Sequence, residues 1–320
     1  MHKLDKDIWI IAGPTASGKS GLALVLAQKH NGCIINADSM QIYDGLPIIS
    51  AQPTLAEQAL VPHKLYGHVG MGQAYSAGHW VADAVAAIDH ALKLGQQPIV
   101  VGGTGFWLQA LIHGLSPIPN VPEAVRQRTS HLYDLLGPQN FHAALAQIDA
   151  KAAQRLPPAD RQRLIRAREV WEATGQTLSQ WQAAPRQSAA PSTWQFKLVA
   201  LLPDKTWLQQ RINSRFEQML GLGAVLEAKT IKQQLENGQL NPQSASLKAV
   251  GLAPLLAYAD GQLNLDQATN MAQLHTRQYA KRQYTWLRHQ TVAHPTRLMV
   301  KTIDEVYQLN NVDAWLTDAS

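Results

Sequence analysis

Residues 13–20 read GPTASGKS, between the apolar run IWIIA and the segment GLALVLAQKH. Gly13, Gly18, Lys19 and Ser20 meet the spacing G-x-x-x-x-G-K-[ST]. A strand that ends in such a loop and restarts as a helix has few folds open to it. The glycines let successive backbone N–H groups face an anion, and the helix start adds partial positive charge. Lys19 supplies a point charge, and Ser20 can hold Mg2+. The loop residues Gly13, Pro14, Thr15, Ala16, Ser17, Gly18, Lys19 and Ser20 are therefore expected to bind a phosphate or diphosphate. The plainer reading, a chance match in a glycine turn, is disfavoured by the strand–loop–helix context.

The rest of the first third keeps the same alternation. CIINAD (33–38) and PIVVGG (98–103) read as buried strands, and SAGHWVADAVAAIDHALKLG (76–95) as a helix ended by Gly95. Strand–helix alternation predicts a parallel sheet with helices on both faces. After GLSPIPNVP (114–122) the strand signal stops until QFKLVALL (195–202), and residues 183–192, AAPRQSAAPS, read as a linker. The predicted fold is thus α/β, a P-loop-type parallel sheet flanked by helices. Residues 1–119 and 194–320 form its core, and 120–193 an all-helical insertion. Helices dominate beyond Pro203, with a late strand at RLMVKTI (297–303).

Composition narrows the function. Apolar residues make up 46% of the 320, enough for a large core, and the net charge of +5 favours a polyanionic partner. Cys33 is the single cysteine, which excludes an intrachain disulfide and a cysteine-based zinc site. No signal peptide and no run of 18 apolar residues is evident, so a soluble cytoplasmic protein without membrane contact is expected.

The loop does not say what carries the phosphates. Nucleotide hydrolases of this type hold Mg2+ with an acid at the end of an apolar strand, whereas PIVVGGT (98–104) ends in Gly-Gly-Thr. The strand-like run that does end in an acid is CIINAD. Its Asp38 lies where such sheets bind ligands, and it could take a proton from a nucleophile attacking something anchored in the loop. The competing structural role is a cap on the turn that follows.

GPTASGKS, NADSMQIYDG, VGGTGFWLQAL, QRLIRAREV, RINSRFEQMLGLG and TRQYAKRQYTWLR, in this order, resemble the tRNA dimethylallyltransferase (tRNA isopentenyltransferase) family in its bacterial form. The likeness spans roughly residues 8 to 290. It implies transfer of a dimethylallyl group from dimethylallyl diphosphate to the exocyclic amine of the adenosine 3′ of the anticodon. On this resemblance the loop grips the diphosphate of a prenyl donor with Mg2+, and no ATP-hydrolysis apparatus is expected. Asp38 becomes the general base, and Thr15 and Arg215 help with the diphosphate. Ser39, Met40 and Gln41 fall beside the target base, where a glutamine is able to bond adenine through two contacts. Thr104 and Arg126 fall near the reaction centre; alone, Thr104 reads as a helix cap. An enzyme working on a stacked base must also extrude it.

The partner is then the tRNA anticodon stem-loop, with no obligate protein partner. Arg155, Arg161, Arg163, Arg166 and Arg168 share a window with Asp160 as its one acid, and Gln162, Arg163, Leu164, Ile165 and Arg166 match the family's tRNA-contacting segment. From Gln267 to Ile303 no acid occurs, while Arg277, Lys281, Arg282, Arg288, Arg297 and Lys301 do. Two uncompensated basic stretches fit phosphate-backbone binding. The resemblance adds Lys248, within LKAVGLAP (247–254), which departs from the family's more polar pattern; IISAQP (48–53) departs as well. The rival readings are a small-molecule or nucleoside kinase, against which the basic insertion argues, and an RNA-binding NTPase, against which the absent strand-end acid argues.

Overall fold

The computed structural model describes residues 6–290, 297–300 and 306–318. Its centre is a six-stranded parallel sheet in the order β3-β2-β4-β1-β5-β6. These strands are β1 (Lys6–Ala12), β2 (Gly32–Asn36), β3 (His63–Lys64), β4 (Gln97–Gly102), β5 (Trp194–Leu201) and β6 (Arg297–Val300). The central strand β1 is buried from Ile8 to Ala12, as a strand covered on both faces must be. Residues 301–303 of the expected late strand, Lys301 among them, lie outside the described residues.

Helix α1 (Lys19–Lys29) follows the loop and buries Leu22, Ala23 and Leu26 against Trp9, Ile11, Ile34 and Ile99 of the sheet. A short helix α2 (Leu55–Leu60) precedes β3, and helix α3 (Ala77–Lys93) is capped by Ser76, which accepts from the His79 N–H. It turns Trp80, Ala84, Ile88 and Ala91 inward at helical spacing. The chain leaves β1 towards β2 on one side and leaves β4 towards β5 on the other. That reversal creates a crevice at the carboxyl ends of β1 and β4, the place where open parallel sheets take ligands.

A backbone contact draws the strand ends together there. A β-carbon on Gly102 would lie 2.2 Å from the Ala37 carbonyl oxygen, so only glycine lets β4 pass the residue before Asp38. The Ala37 N–H donates to the Val101 carbonyl at 2.8 Å and the Thr104 N–H donates to the Ala37 carbonyl at 3.2 Å. The Trp80 indole donates to the Asn36 carbonyl at 2.8 Å and stacks on Trp107 of α4 (Gly105–His113), packing α3 and α4 behind the same loops.

Two compact units are present: residues 1–112 with 189–320, and residues 113–188. The second contains α5 (Glu123–Ala146, broken at Gly137), α6 (Ala150–Arg155), α7 (Arg161–Thr174) and α8 (Leu178–Ala183). Its core is Tyr133, Phe141, Leu145, Ala152, Leu164, Ile165 and Ala167. An antiparallel bridge between Leu115 and Gln187 joins the two ends of this unit, which is why it begins before residue 120 and closes before residue 193.

Gly102→Ala is expected to lose about 1–3 kcal/mol of stability, because the added methyl overpacks a backbone contact. Urea denaturation reads this loss, and an unchanged midpoint would mean that the two loops separate freely.

Candidate active site

The phosphate loop is built around a concavity. Ala16 has φ +63° and Gly18 φ +90°, so the loop turns through the left-handed region twice before α1 starts. Such alternation points neighbouring N–H groups to one side. α1 has no side-chain cap at Gly18, which leaves its amide donors and partial charge for a ligand. The Ser17 hydroxyl is buried and makes no hydrogen bond, an orphan that a bound phosphate oxygen would satisfy. Ser20, in the first turn of α1, is exposed.

Lys19 is buried, and its ammonium donates to the Pro14 carbonyl at 3.3 Å. Burial pushes its pKa down from 10.5 to about 8; the Asp38 charge opposes this and the Arg215 charge adds to it. Arg215, on α9 (Lys205–Leu222), is likewise lowered by burial while Asp38 raises it. The three charges therefore share one field, with two cations and one carboxylate around the loop. A net positive charge held out of water is unfavourable alone and is suited to an anionic ligand.

Asp38 is oriented from three directions. The Asn36 side chain accepts from the Asp38 N–H at 2.8 Å and donates to the Asp38 carbonyl at 3.0 Å and the Leu65 carbonyl at 2.9 Å. Asp38 Oδ1 accepts from the Met40 N–H at 2.9 Å. The carboxylate thus caps its turn with one oxygen, and the same side chain lines a cleft. Thr104 precedes α4, and its Oγ1 accepts from the Ser39 N–H at 3.0 Å.

The cleft is lined by Thr15, Asp38 and Arg215 among polar groups, and by Ala16, Met40, Ile49, Ile212, Phe216 and Met219 among apolar ones. After α10 (Ala224–Glu236) and α11 (Leu252–Ala259) comes α12 (Leu265–Gln290), whose Tyr279 completes the wall; burial and the nearby Asp38 charge hold its phenol well above its ordinary range. Three of the four non-glycine residues with positive φ among the described residues surround this region. They are Ala16, Ala51 in the wall, and Leu65 held by Asn36. Strained backbone concentrated at one cleft is a mark of a functional site.

The structure corrects several readings. Gln41 is buried, and its amide nitrogen donates to the Ser50 carbonyl at 2.9 Å and the Ala51 carbonyl at 2.7 Å. Both of its N–H groups are occupied, so it shapes the cleft wall and has no donor left for a two-contact grip on adenine. Leu164 and Ile165 lie in the helical core of the second unit, where RNA does not reach. The basic window around them is compensated: Arg161 pairs with Asp134, Arg163 with Asp160, Arg166 with Glu169, and Arg168 with Glu172, which also takes Arg128. Gln162 and Arg163 remain exposed, and Arg126 and Arg166 are partly so. Lys248 and Lys281 are exposed, while Arg277 donates to Asn213 Oδ1 at 2.8 Å. Asn36 opens the motif NADSMQIYDG without any mark of its bracing role, and Glu227 lies outside every motif; Glu227 accepts from the Ile48 and Ile49 N–H groups and so holds the cleft wall.

A family model described as IPP transferase matches residues 41–290, and one described as isopentenyl transferase matches residues 6–63. The tRNA dimethylallyltransferase of Azorhizobium caulinodans is 47% identical over 281 residues, 88% of each chain. The chain belongs to the tRNA dimethylallyltransferase family. A second relative in that family, from Nitrobacter hamburgensis, is 44% identical over 284 residues, 89% of this chain and 88% of its own. The crystal structure of a tRNA isopentenylpyrophosphate transferase from Bacillus halodurans overlays with a TM-score of 0.68 at 29% identity, covering 97% of this chain and 95% of that one. A eukaryotic dimethylallyltransferase acting on tRNA overlays at 0.78 with 26% identity, over 98% of this chain and 76% of its own. No described helix is long and apolar enough to cross a membrane.

Lys19→Met is expected to stabilise the ligand-free protein near neutral pH by on the order of 1–3 kcal/mol, since a disfavoured buried charge is removed. Between about pH 8 and pH 10.5 the unfolded wild type holds a proton that the folded protein has released, so this part of its stability rises with pH. The advantage of the variant should shrink across that window in paired urea denaturations. An advantage independent of pH would remove the charge on Lys19 as its cause.

Proposed function

We propose that this protein transfers a dimethylallyl group from dimethylallyl diphosphate to the exocyclic amine of the adenosine 3′ of the anticodon in tRNA. The observation that carries this reading is the cleft itself. It runs from an anion cradle into an apolar wall of Ile49, Ile212, Phe216 and Met219, with the Asp38 carboxylate on its lining. A prenyl diphosphate has that polarity, an anionic head on a short apolar tail.

The chemistry follows from the side chains. The adenine amine is a weak nucleophile because its lone pair is delocalised into the ring. As its nitrogen bonds to the allylic carbon, the bond from that carbon to the diphosphate oxygen breaks, and Asp38 accepts the amine proton. General-base help of this kind contributes roughly 10²–10⁴-fold. Negative charge gathers on the departing diphosphate, where Lys19, Arg215, Thr15 and the loop amides stabilise it as it develops. Ser39, Met40 and Thr104 sit beside Asp38 and border the base.

The residues present fit Mg2+. Among the described residues no group of three or more His, Cys, Asp or Glu could hold a metal. Mg2+ commonly keeps its waters and takes one or two protein oxygens with substrate phosphates, which matches the exposed Ser20 hydroxyl. When bound it would supply charge neutralisation on the diphosphate.

Purified protein, an anticodon stem-loop with adenosine at that position and labelled donor test the reaction, which predicts label on that base alone. Asp38→Asn should lower turnover by roughly 10²–10⁴-fold with tRNA affinity nearly unchanged; full turnover would take the base role from Asp38. We further assign tRNA backbone contacts to the exposed cations Lys248 and Lys281. Lys248→Ala or Lys281→Ala should each reduce the slope of log affinity against log salt by about 0.7–0.9. Arg161→Ala, whose guanidinium Asp134 holds, should leave the slope in place.

A further inference from the structure

Helix α12 carries two buried glutamines, Gln273 and Gln283, and the second reaches the phosphate loop. Gln283 is 5% exposed. Its Oε1 accepts from the Thr15 N–H at 2.8 Å, and its Nε2 donates to the Gly103 carbonyl at 3.0 Å. One side chain therefore joins the phosphate loop, after β1, to the turn after β4 that presents Thr104. Both bonds bridge long sequence separations, so no local propensity creates them.

The neighbouring contacts show that the turn is shaped to this helix. A β-carbon on Gly103 would lie 2.3 Å from Gln283 Nε2, and one on Gly105 would lie 2.2 Å from the Trp286 ring. The two glycines flanking Thr104 are thus the space that Gln283 and Trp286 occupy. One turn earlier on the same face, Tyr279 lines the cleft with Thr104 beside its phenol. The Thr15 amide points to Gln283, which sets the loop's path ahead of ligand arrival and directs the following residues into the left-handed cradle at Ala16 and Gly18.

We propose that Gln283 is a positioning residue that holds the diphosphate cradle in register with the Thr104 turn, and through Thr104 with the Ser39–Asp38 segment. It acts by preorganisation: the donors that meet the leaving group and the turn that borders the base are fixed relative to each other before either substrate binds. It touches neither substrate. The proposal rests on the reading of the loop as a diphosphate site.

The test uses Gln283→Leu and Gln283→Asn in the full-length protein. Leucine removes both hydrogen bonds, and asparagine keeps the amide one methylene too short to span the gap. The probe is inorganic pyrophosphate with Mg2+ in calorimetry, alongside binding of an anticodon stem-loop and steady-state kinetics. Each variant is expected to bind pyrophosphate about tenfold or more weakly, because buried partners are left unpaired. The KM for the prenyl donor should rise with it, while stem-loop affinity stays within about twofold. Should the leucine variant fail to fold, the asparagine variant alone decides. Pyrophosphate affinity within about twofold of wild type in a folded variant overturns the proposal, as does a loss confined to RNA binding. A wild type that binds no pyrophosphate overturns the reading of the loop and the pin together, whereas wild-type binding without variant difference overturns the pin alone.

Discussion

The site depends on a distance too short for a side chain. β4 passes the end of β2 so closely that Gly102 has no room for a β-carbon against the Ala37 carbonyl. Three hydrogen-bonded steps follow from that approach, from Ala37 to Val101, from Thr104 to Ala37, and from Ser39 to Thr104. The acid after β2, the hydroxyl after β4 and the phosphate loop after β1 meet because parallel strands send all their carboxyl ends to one edge. Side chains at residues 15, 38 and 215 thereby line one cleft, and Thr104 is tied to it through the Ser39 N–H.

Electrostatics then divides the labour. Lys19 sits out of water at an energetic cost, shown by the fall of its pKa to about 8 with burial as the leading cause. That cost is the counterpart of affinity for a ligand with concentrated negative charge, since the site is unfavourable until it is filled. Asp38 offsets part of the cation pair and lies in the same cleft as the apolar side chains. Backbone strain at Ala16, Ala51 and Leu65 accumulates around the same groups, held by the side chains of Gln41 and Asn36.

The basic face of the helical unit shows how charge counted along the chain misleads. Around Arg155 to Arg168 the linear window holds one acid, yet the helices bring Asp134, Glu169 and Glu172 onto the arginines. The exposed Arg161–Asp134 pair contributes little stability, whereas Glu169 and Glu172 are largely buried. Together the pairs remove most of the local excess positive charge, leaving selected exposed cations for polyanion contact.

The strand–loop–helix at residues 8–29, the helical middle of the chain and the family resemblance were legible because they rest on local pattern: apolar runs, glycine spacing and motifs read in order. Asp38 was legible for the same reason, as an acid ending an apolar run. Gln41, Gln283, Asn36 and Glu227 were not, because a polar side chain in a sequence carries no mark of the partner it will find. Gln283 is 268 residues from Thr15 and 180 from Gly103. Gln41 suggested a base contact and instead closes a loop; Leu164 and Ile165, taken with their motif, turn inward because helical spacing buries every third or fourth residue. The sequence by itself determined the fold class, the glycine loop between β1 and α1, and the acid that follows β2. Only the tertiary structure decided which polar groups remain free for a substrate, since that depends on which hydrogen bonds and ion pairs folding has already satisfied.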